Sequence, residues 1–559
     1  MSETEAQTTK KRTKKDDYIV QGSILAAAAV LTKIIGVVYR IPLTNILGDE
    51  GNGFYGYAYQ VYAIALMISS FSLPTAVSKL VSIRLAKRQR RNAFRVFICS
   101  LAFAIGVGLF ISLTIFLGAG LISTHLMKSP LSVYALRVLA PGLLIVAVMA
   151  VIRGYFQGMG NMIPTAISQV FEQIVNAVVS VIAAYELTVY GVSISKMSKL
   201  GESAGPAYGA AGGTLGTLTG AIAALIVVVI VFWNSYGNIK KPVRKDKTKV
   251  EDSYATITKV IIFTITPVLI SSTIYNISNL LDNPIYGNIV TGIFDVSSKT
   301  RAELWGVYSA KYRVLTTMPI AIASSLSTAI VPAMVRSYIA KDKQGMENKV
   351  SLALKFSMLI AFPCGMGLSV LGGPINQLLF GDGSKRTATI MIFSLLTVVV
   401  FSLSTISNAI LQGIDKLNIP IKNSAISLVL HLIILPVLLI VFRLDIYAVV
   451  IGDITFGLTV SILNAFSIKK HMGYSHDLRE TFLRPFICSA AMGIMCYLAY
   501  WLTSKIIPIN ALCTLFAIMV AVIVYAVVLI ISGTVTENEL MSVPKGTMLI
   551  RLLKKVHLL

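Results

Sequence analysis

Charged residues are scarce in this sequence of 559 residues, and their scarcity excludes the commonest class of proteins. Asp, Glu, Lys and Arg together make up 13% of the chain, whereas hydrophobic residues make up 55% and the mean hydropathy is +0.77. Ordinary soluble domains carry about 25% charged residues. The composition therefore excludes a water-soluble globule and predicts an all-α polytopic membrane protein.

Cysteine is also scarce, with five residues in the whole chain. All five lie in apolar segments, and their spacing fits neither a metal site nor a disulfide framework. They are Cys99, Cys364, Cys488, Cys496 and Cys513. We expect packed thiols without a redox role, because free cysteine behaves as a small buried hydrophobic residue. We predict no metal site and no resident cofactor.

Motifs of two functional classes are missing. The phosphate-binding loop Gly-x4-Gly-Lys-Ser/Thr does not occur, which excludes a transporter driven directly by ATP. A membrane glycosyltransferase would carry acidic metal-binding motifs or a large outer loop. The longest predicted outer loop, 187–206, is short, and its one carboxylate is Glu202. We therefore predict a protein that is not an enzyme. Residues 1–17 lack the apolar core of a removed signal peptide, so we expect the first helix to be retained.

Apolar runs of about 20 residues predict fourteen transmembrane helices. Their expected ranges are 18–46, 54–83, 93–122, 131–156, 163–186, 206–233, 255–281, 304–335, 350–380, 387–412, 420–442, 446–468, 483–504 and 509–533. Loops on one side hold 31 of the 49 Lys and Arg residues, and loops on the other side hold nine. Because basic residues accumulate in cytoplasmic loops, we expect a multi-pass membrane protein with both termini in the cytoplasm. Nucleic-acid binding is not needed to explain the net charge of +24.

Two short patterns recur at nearly the same offset. The segment 72–77, Ser-Leu-Pro-Thr-Ala-Val, is matched 253 residues later by 325–330, Ser-Leu-Ser-Thr-Ala-Ile. The pattern Phe-Gln-Gly at 156–158 is matched by Leu-Gln-Gly at 411–413, and each is followed by a proline that opens the next helix. The repeat predicts two parallel six-helix bundles, which commonly enclose a substrate cavity and give alternating access by rocking.

The repeat leads to a predicted division of the chain. We expect a disordered cytoplasmic N-terminus, an N-terminal lobe, a basic cytoplasmic linker, a C-terminal lobe, two appended helices and an amphipathic cytoplasmic tail. Their predicted ranges are 1–17, 18–235, 236–254, 255–470, 471–533 and 534–559.

Basic residues inside the predicted spans are the candidates for a binding site. A cation near the middle of a membrane helix costs about 2.5–3.5 kcal/mol on insertion scales, so it usually faces a cavity, a counter-charge or an anionic ligand. Lys33 and Arg40 lie seven residues apart and share one helix face. Lys311 and Arg313 also lie deep in a predicted span, and Lys79 lies at an intermediate depth.

Other interpretations of the basic residues remain open. Arg137, Arg153, Lys259 and Lys355 lie near predicted helix ends, where their side chains are expected to reach the headgroups. The deeper bases would instead fix the bundle if they paired with Glu172, Asp282 or Asp453. Tyr55, Tyr59 and Tyr62 share one helix face, where an interfacial aromatic belt is favoured over a sugar-stacking surface.

Three segments resemble a known superfamily. These are Thr32-Lys33-Ile34-Ile35-Gly36 with Arg40 and Gly48, the segment 308–332 with Arg313 before Pro332, and Arg153-Gly154-Tyr155-Phe156-Gln157-Gly158. The sequence resembles the multidrug/oligosaccharidyl-lipid/polysaccharide exporter superfamily, and within it the bacterial flippases typified by stage V sporulation protein B and MurJ-type lipid II flippases. The resemblance implies a polyprenyl-diphosphate-linked saccharide as substrate, either a peptidoglycan precursor or a polysaccharide unit. Membrane lipids and cell-wall synthesis proteins would be its partners.

The resemblance also implies roles for particular residues. Arg40 and Arg313 would present planar forks of donors to the diphosphate, and Lys33, Lys79 and Lys311 would add charge. Transport would be coupled to sodium, to protons or to the membrane potential, and the candidate cation site consists of Asp282, Asn423 and Asp453.

Two departures from lipid II flippases favour the sporulation and polysaccharide branch. Arg40 follows Lys33 by one residue more than in those proteins, and 63–66 is apolar where they carry paired arginines. A multidrug cation antiporter of the same superfamily is the nearer alternative, although it would favour acidic residues in the cavity.

Overall fold

The structure is a computed structural model that describes residues 3–71, 73–196, 201–246, 252–322, 337, 340, 342–414, 416, 418–474 and 477–534. The backbone alone is described at 3–23, 26, 71 and 267–280. Within these ranges all regular secondary structure is helical. The chain forms two compact units, Met1–Gly306 (the N-terminal unit) and Val307–Leu559 (the C-terminal unit).

The N-terminal unit contains eight α-helices in the described ranges. They are α1 (Glu3–Leu66), α2 (Leu73–Ala86), α3 (Arg90–Leu121), α4 (Val133–Gly158), α5 (Ile163–Ile194), α6 (Ala204–Arg244), α7 (Tyr254–Gly292) and α8 (Ser298–Gly306). A single non-helical residue, Gly48 with φ 62° and ψ −179°, divides α1 into two helical segments. Glycine adopts this positive φ without steric cost, so it separates the first two predicted spans without a loop.

The C-terminal unit begins with a π-helical turn at Val307–Tyr312 and continues into α9, which is described over 313–322. The following helices are α10 (Lys343–Phe380), α11 (Lys385–Met391), α12 (Ser394–Gly413), α13 (Asn418–Ile440), α14 (Ile446–Met472), α15 (Arg484–Ile506) and α16 (Asn510–Ile531).

Eleven helical stretches among the described residues are long and apolar enough to cross a membrane. One of them, Ala27–Ala86, contains two of the predicted spans, so these stretches account for twelve of the fourteen. The remaining two, 255–281 and 304–335, include residues outside the full description. The prediction of an all-α polytopic membrane protein is confirmed.

The structure departs from the sequence-based division at several points. Helix α1 begins at Glu3, within the segment 1–17 predicted to be disordered, where Glu, Gln and Lys are good helix formers. Helix α6 extends to Arg244, into the predicted linker. Most of the predicted tail, 535–559, lies outside the described residues.

The two compact units meet in sequence at Gly306, later than the predicted linker. Helix α8 lies so close to α1 that a β-carbon on Gly53 would be 2.1 Å from the carbonyl oxygen of Ala302. This contact explains why α8 belongs to the N-terminal unit. The division into two six-helix lobes stays a prediction.

Candidate functional site

Lys33 and Arg40 lie on a basic face of α1. Lys33 is exposed and Arg40 is half-buried. The exposed apolar residues Leu31, Ile34 and Val38 lie on roughly the opposite side, because each residue advances the helix by about 100°. The basic face is therefore separate from the apolar face of the same span.

Arg40 contacts aromatic side chains. Its guanidinium carbon lies 4.7 Å from the centroid of the Tyr55 ring, which is a cation–π geometry. The neighbouring Tyr39 hydroxyl accepts a hydrogen bond from the Asn176 amide, at 3.3 Å. Within the described ranges, neither Lys33 nor Arg40 forms an ion pair with a carboxylate. A net positive charge therefore remains on this face of the span.

Glu172 on α5 forms an ion pair with Arg153 on α4. Their nitrogen and oxygen atoms are 2.8 Å apart, and Arg153 also donates to the Ser168 hydroxyl at 2.9 Å. Arg153 is 9% exposed, so the prediction that it reaches the headgroups is wrong. The cation beside Glu172 is thus neither Lys33 nor Arg40.

Three tyrosines of α1 form a stack beside Arg40. The Tyr55 and Tyr59 rings are parallel within 9° with centroids 5.8 Å apart, and the Tyr62 ring follows 5.9 Å from Tyr59 at a tilt of 47°. Tyr55 and Tyr62 are buried, whereas Tyr59 is 39% exposed. The expected interfacial belt is therefore wrong for Tyr55 and Tyr62, because both rings pack inside the unit.

Lys311 points from the π-helical turn to Asp382, in the loop between α10 and α11. The Lys311 amine lies 2.7 Å from an Asp382 carboxylate oxygen, and both side chains are largely buried. The sequence predicts Lys311 as a substrate ligand, but the structure places it in an ion pair. Its partner was missed because Asp382 lies 71 residues away in the chain.

The Asp382 carboxyl is stabilised in its charged form. Burial favours the neutral form and would raise its pKa, but hydrogen bonds from Lys311, Thr387 and Ser384 outweigh burial and lower that pKa to about 2. An ordinary aspartate has a pKa of about 3.9. The charged carboxylate therefore stabilises the folded protein.

This difference predicts an acid-dependent loss of stability. The Asp382 contribution should be fully present above about pH 4 and should disappear as the pH falls towards 2, because the unfolded carboxyl is protonated first. The expected loss is about 2–3 kcal/mol. Thermal unfolding in detergent between pH 2 and 6 measures it. Asp382→Asn should flatten this part of the profile, and an unchanged slope in the variant would contradict the assignment.

Arg313 belongs to a polar cluster of the C-terminal unit. It is half-buried, and its guanidinium carbon lies 5.8 Å from the Tyr308 ring centroid. Tyr308 donates a hydrogen bond to the buried Asp453 carboxylate at 2.5 Å. The structure thus brings together Arg313 and Asp453, which the sequence assigns to two different sites.

Asn423 and Asp453, two of the three predicted cation ligands, do not lie together in the described part of the C-terminal unit. Asn423 donates to the side-chain oxygen of Asn464 at 2.8 Å. Asn464 lies eleven residues beyond Asp453 on α14, about 16 Å along the helix axis. Combining Asn423 with Asp453 is therefore wrong. Asp282 is buried on α7 of the N-terminal unit.

Lys79 lies apart from the basic face of α1. It is exposed on α2, about 160° around that helix from the buried residues Val77 and Val81. In the described portion of the chain no hydrogen bond or ion pair joins Lys79 to Arg40. The structure does not bring these two predicted ligands into contact.

Arg301 was missed as an internal residue because its sequence position suggests an outer loop. It is completely buried, donates to the backbone oxygens of Met127 and Lys128, and lies 5.1 Å from the Tyr57 ring centroid. It therefore holds α8 to the segment before α4. The nearby Trp305 is the one sequence signal for burial here.

An apolar cavity of about 650 Å³ lies between α9, α10, α15 and α16. Its lining includes Met318, Ile322, Pro363, Met492 and Val522. Met318 and Ile322 lie on the side of α9 opposite to its first residue, Arg313.

The long apolar helices, with basic residues inside some of them, define a polytopic helical membrane protein. A family model described as polysaccharide biosynthesis protein matches residues 20–338, and a second model of the same description matches 291–388. Since the first match spans more than half of the sequence, the chain belongs to the polysaccharide biosynthesis protein family.

Individual relatives and solved structures agree with this assignment. The chain is 25% identical to the lipid II flippase MurJ of Bacillus subtilis (strain 168) over 86% of its length and 87% of the relative. It is 24% identical to stage V sporulation protein B of the same organism over 83% of this chain and 86% of the relative.

Two solved structures share the fold at 16% identity. An inward-facing MATE transporter of the MOP superfamily gives a TM-score of 0.63 over 79% of this chain and 94% of that one. A structure of the lipid II flippase MurJ in an inward closed conformation gives a TM-score of 0.60 over 90% of this chain and 97% of that one. The predicted resemblance to this exporter superfamily is confirmed.

Proposed function

We propose that this protein is a flippase that moves a polyprenyl-diphosphate-linked saccharide across the bacterial cytoplasmic membrane by alternating access. The observation that carries the proposal is the basic face of α1, where Lys33 and Arg40 form no ion pair with a carboxylate among the described residues. Uncompensated cations in a membrane span are costly unless they meet an anionic ligand or water. A diphosphate is such a ligand, and a flippase and a sporulation protein among the relatives support this choice.

The apolar cavity of the C-terminal unit supports an amphiphilic substrate. Helix α9 begins with Arg313 and lines the cavity on its opposite side. Contact with such an apolar surface would remove a polyprenyl chain from water. The charged headgroup of the same lipid would instead bind the basic residues. The saccharide would belong to a peptidoglycan precursor or to another polysaccharide.

A multidrug cation antiporter is the second candidate, and the likeness to the MATE fold favours it. Cationic drugs would need accessible carboxylates in the binding site. Glu172 is paired with Arg153, and Asp453 accepts a hydrogen bond from Tyr308. These contacts make both carboxylates poorer drug ligands and support the anionic substrate.

Orientation, coupling and partners are part of the proposal. The basic loops predicted for one side favour both termini in the cytoplasm. Sodium, protons or the membrane potential would drive transport, and Asp282 and Asp453 are candidates for a coupling site. Cell-wall synthesis proteins would supply or consume the lipid-linked saccharide.

Binding of a purified polyprenyl-diphosphate glycolipid to the detergent-solubilised protein tests the proposed function. Arg40→Ala should weaken binding by about 10- to 150-fold, because it removes a charged hydrogen bond worth about 1.5–3 kcal/mol. Arg137→Ala is the matched control, since Arg137 is exposed near the start of α4. Equal binding of an uncharged glycolipid, or unchanged affinity in Arg40→Ala, would refute the anionic-substrate proposal and favour the antiporter.

A further inference from the structure

The second half of α1 is accessible along one narrow face. From Gly51 to Tyr62, the accessible positions are Gly56, Tyr59 and Gln60, and every other residue is buried. These three positions share one side of a helix because they are spaced by three and four residues. Tyr59 is the most exposed of them, and its neighbours on this face are Gly56 and Gln60. This segment of α1 thus leaves one aromatic ring accessible, with a glycine on the same side of the helix.

Close contacts with glycines hold the neighbouring tyrosines. A β-carbon on Gly213 of α6 would lie 3.3 Å from the Tyr55 ring, and one on Gly142 of α4 would lie 3.5 Å from the Tyr62 hydroxyl. Tyr55 and Tyr62 therefore pack where two other helices carry no side chain. Tyr59 stacks on Tyr55 and also contacts Tyr62. The parallel contact with Tyr55 and the tilted contact with Tyr62, at 47°, orient the Tyr59 ring, and the side chain stays 39% exposed.

The accessible ring lies close to the basic face. Arg40 and Tyr59 contact the same Tyr55 ring, at 4.7 Å and 5.8 Å from its centroid. The Arg40 guanidinium carbon is therefore within about 10.5 Å of the Tyr59 ring centroid. In a lipid-linked saccharide the first sugar is bonded directly to the terminal phosphate. A diphosphate held by Arg40 would thus place a sugar beside Tyr59.

We propose that Tyr59, anchored by Tyr55 and Tyr62, is a stacking platform for the saccharide part of the substrate. This inference rests on the proposed flippase function and adds a second contact to it. The C–H faces of a pyranose ring pack on an aromatic face, and the tyrosine hydroxyl supplies a polar contact at its edge. Arg40 binds the charge common to all polyprenyl diphosphates, whereas Tyr59 distinguishes lipids that carry sugar.

Binding measurements with two lipids distinguish the sugar contact of Tyr59 from the phosphate contact of Arg40. Polyprenyl diphosphate carrying an N-acetylhexosamine and the sugar-free polyprenyl diphosphate are bound to the intact protein in detergent. Tyr59→Leu should weaken binding of the glycosylated lipid by about three- to tenfold and leave the sugar-free lipid unchanged. Tyr59→Phe should retain most of the affinity because it keeps the ring. Arg40→Ala should weaken the binding of both lipids.

Tyr185→Leu is the matched control, because Tyr185 is exposed on α5 outside the stack. Equal weakening of both lipids in Tyr59→Leu would show a structural role and overturn the platform. Unchanged binding of the glycosylated lipid in Tyr59→Leu, or equal affinity of the wild type for the two lipids, would overturn it as well. Failure of the wild type to bind either lipid would instead refute the flippase proposal, and the platform with it.

Discussion

Replacing Lys311 by methionine is expected to lower the free energy of unfolding by about 3–5 kcal/mol. The side chains of Lys311 and Asp382 are only 6% and 14% exposed, so the variant leaves a charged carboxylate buried without its cation. The remaining hydrogen bonds from Thr387 and Ser384 would not supply the lost charge. Denaturant-induced unfolding in detergent micelles, followed by far-ultraviolet circular dichroism, measures the change.

Two further variants make the Lys311 prediction specific. Lys343→Met removes an exposed lysine that lies 3.8 Å from Glu347, and it should cost less than about 1 kcal/mol. Lys311→Met combined with Asp382→Asn should recover much of the lost stability, because no isolated charge remains. A Lys311→Met protein of normal stability but weakened glycolipid binding would instead support the substrate role that the sequence predicts.

The sequence was sufficient to predict twelve of the membrane spans. Runs such as 93–122 and 131–156 are apolar over the thickness of a bilayer, and the structure has α3 and α4 over those ranges. Length and hydropathy are local properties, so they can be read without knowledge of neighbours. The helical periodicity likewise placed Lys33 and Arg40 on a common face of α1.

Contact partners could not be predicted in the same way. Arg153 and Lys311 are both basic residues in apolar surroundings, and the sequence alone does not show that Glu172 and Asp382 lie beside them. Periodicity assigns a residue to a helix face but does not identify the helix that packs there. Arg301 is a further case, since its partners are backbone oxygens that any sequence would supply.

The separation of Asn423 from Asp453 was predictable in retrospect. Both residues lie near the beginning of their helices, and α13 and α14 are consecutive spans joined by a short loop. Consecutive membrane helices run in opposite directions, so their beginnings lie at opposite membrane surfaces. The depth of a residue in the membrane, as well as its type, therefore limits which residues can share a site.

Arg153→Met is expected to lower the free energy of unfolding by about 3 kcal/mol, at the lower end of the range for broken buried ion pairs. The side chains of Arg153 and Glu172 are 11% and 31% exposed, so water partly stabilises the remaining carboxylate. The loss of the Ser168 hydrogen bond adds to the effect. Unfolding in detergent measures it, and Arg137→Met, at an exposed position of the same helix, serves as the control.

A double-mutant cycle with Glu172→Gln decides what the Arg153 pair does for the basic face of α1. If Arg153 is the partner of Glu172, the double variant should be more stable than the sum of the single changes predicts, because the isolated charge is gone. Lys33 and Arg40 then keep their uncompensated charge for an anionic ligand. Additive effects would mean that Glu172 interacts with another cation. Arg40, which contacts the Tyr55 ring of the same stack, would be the first candidate, and its charge would then have a structural role.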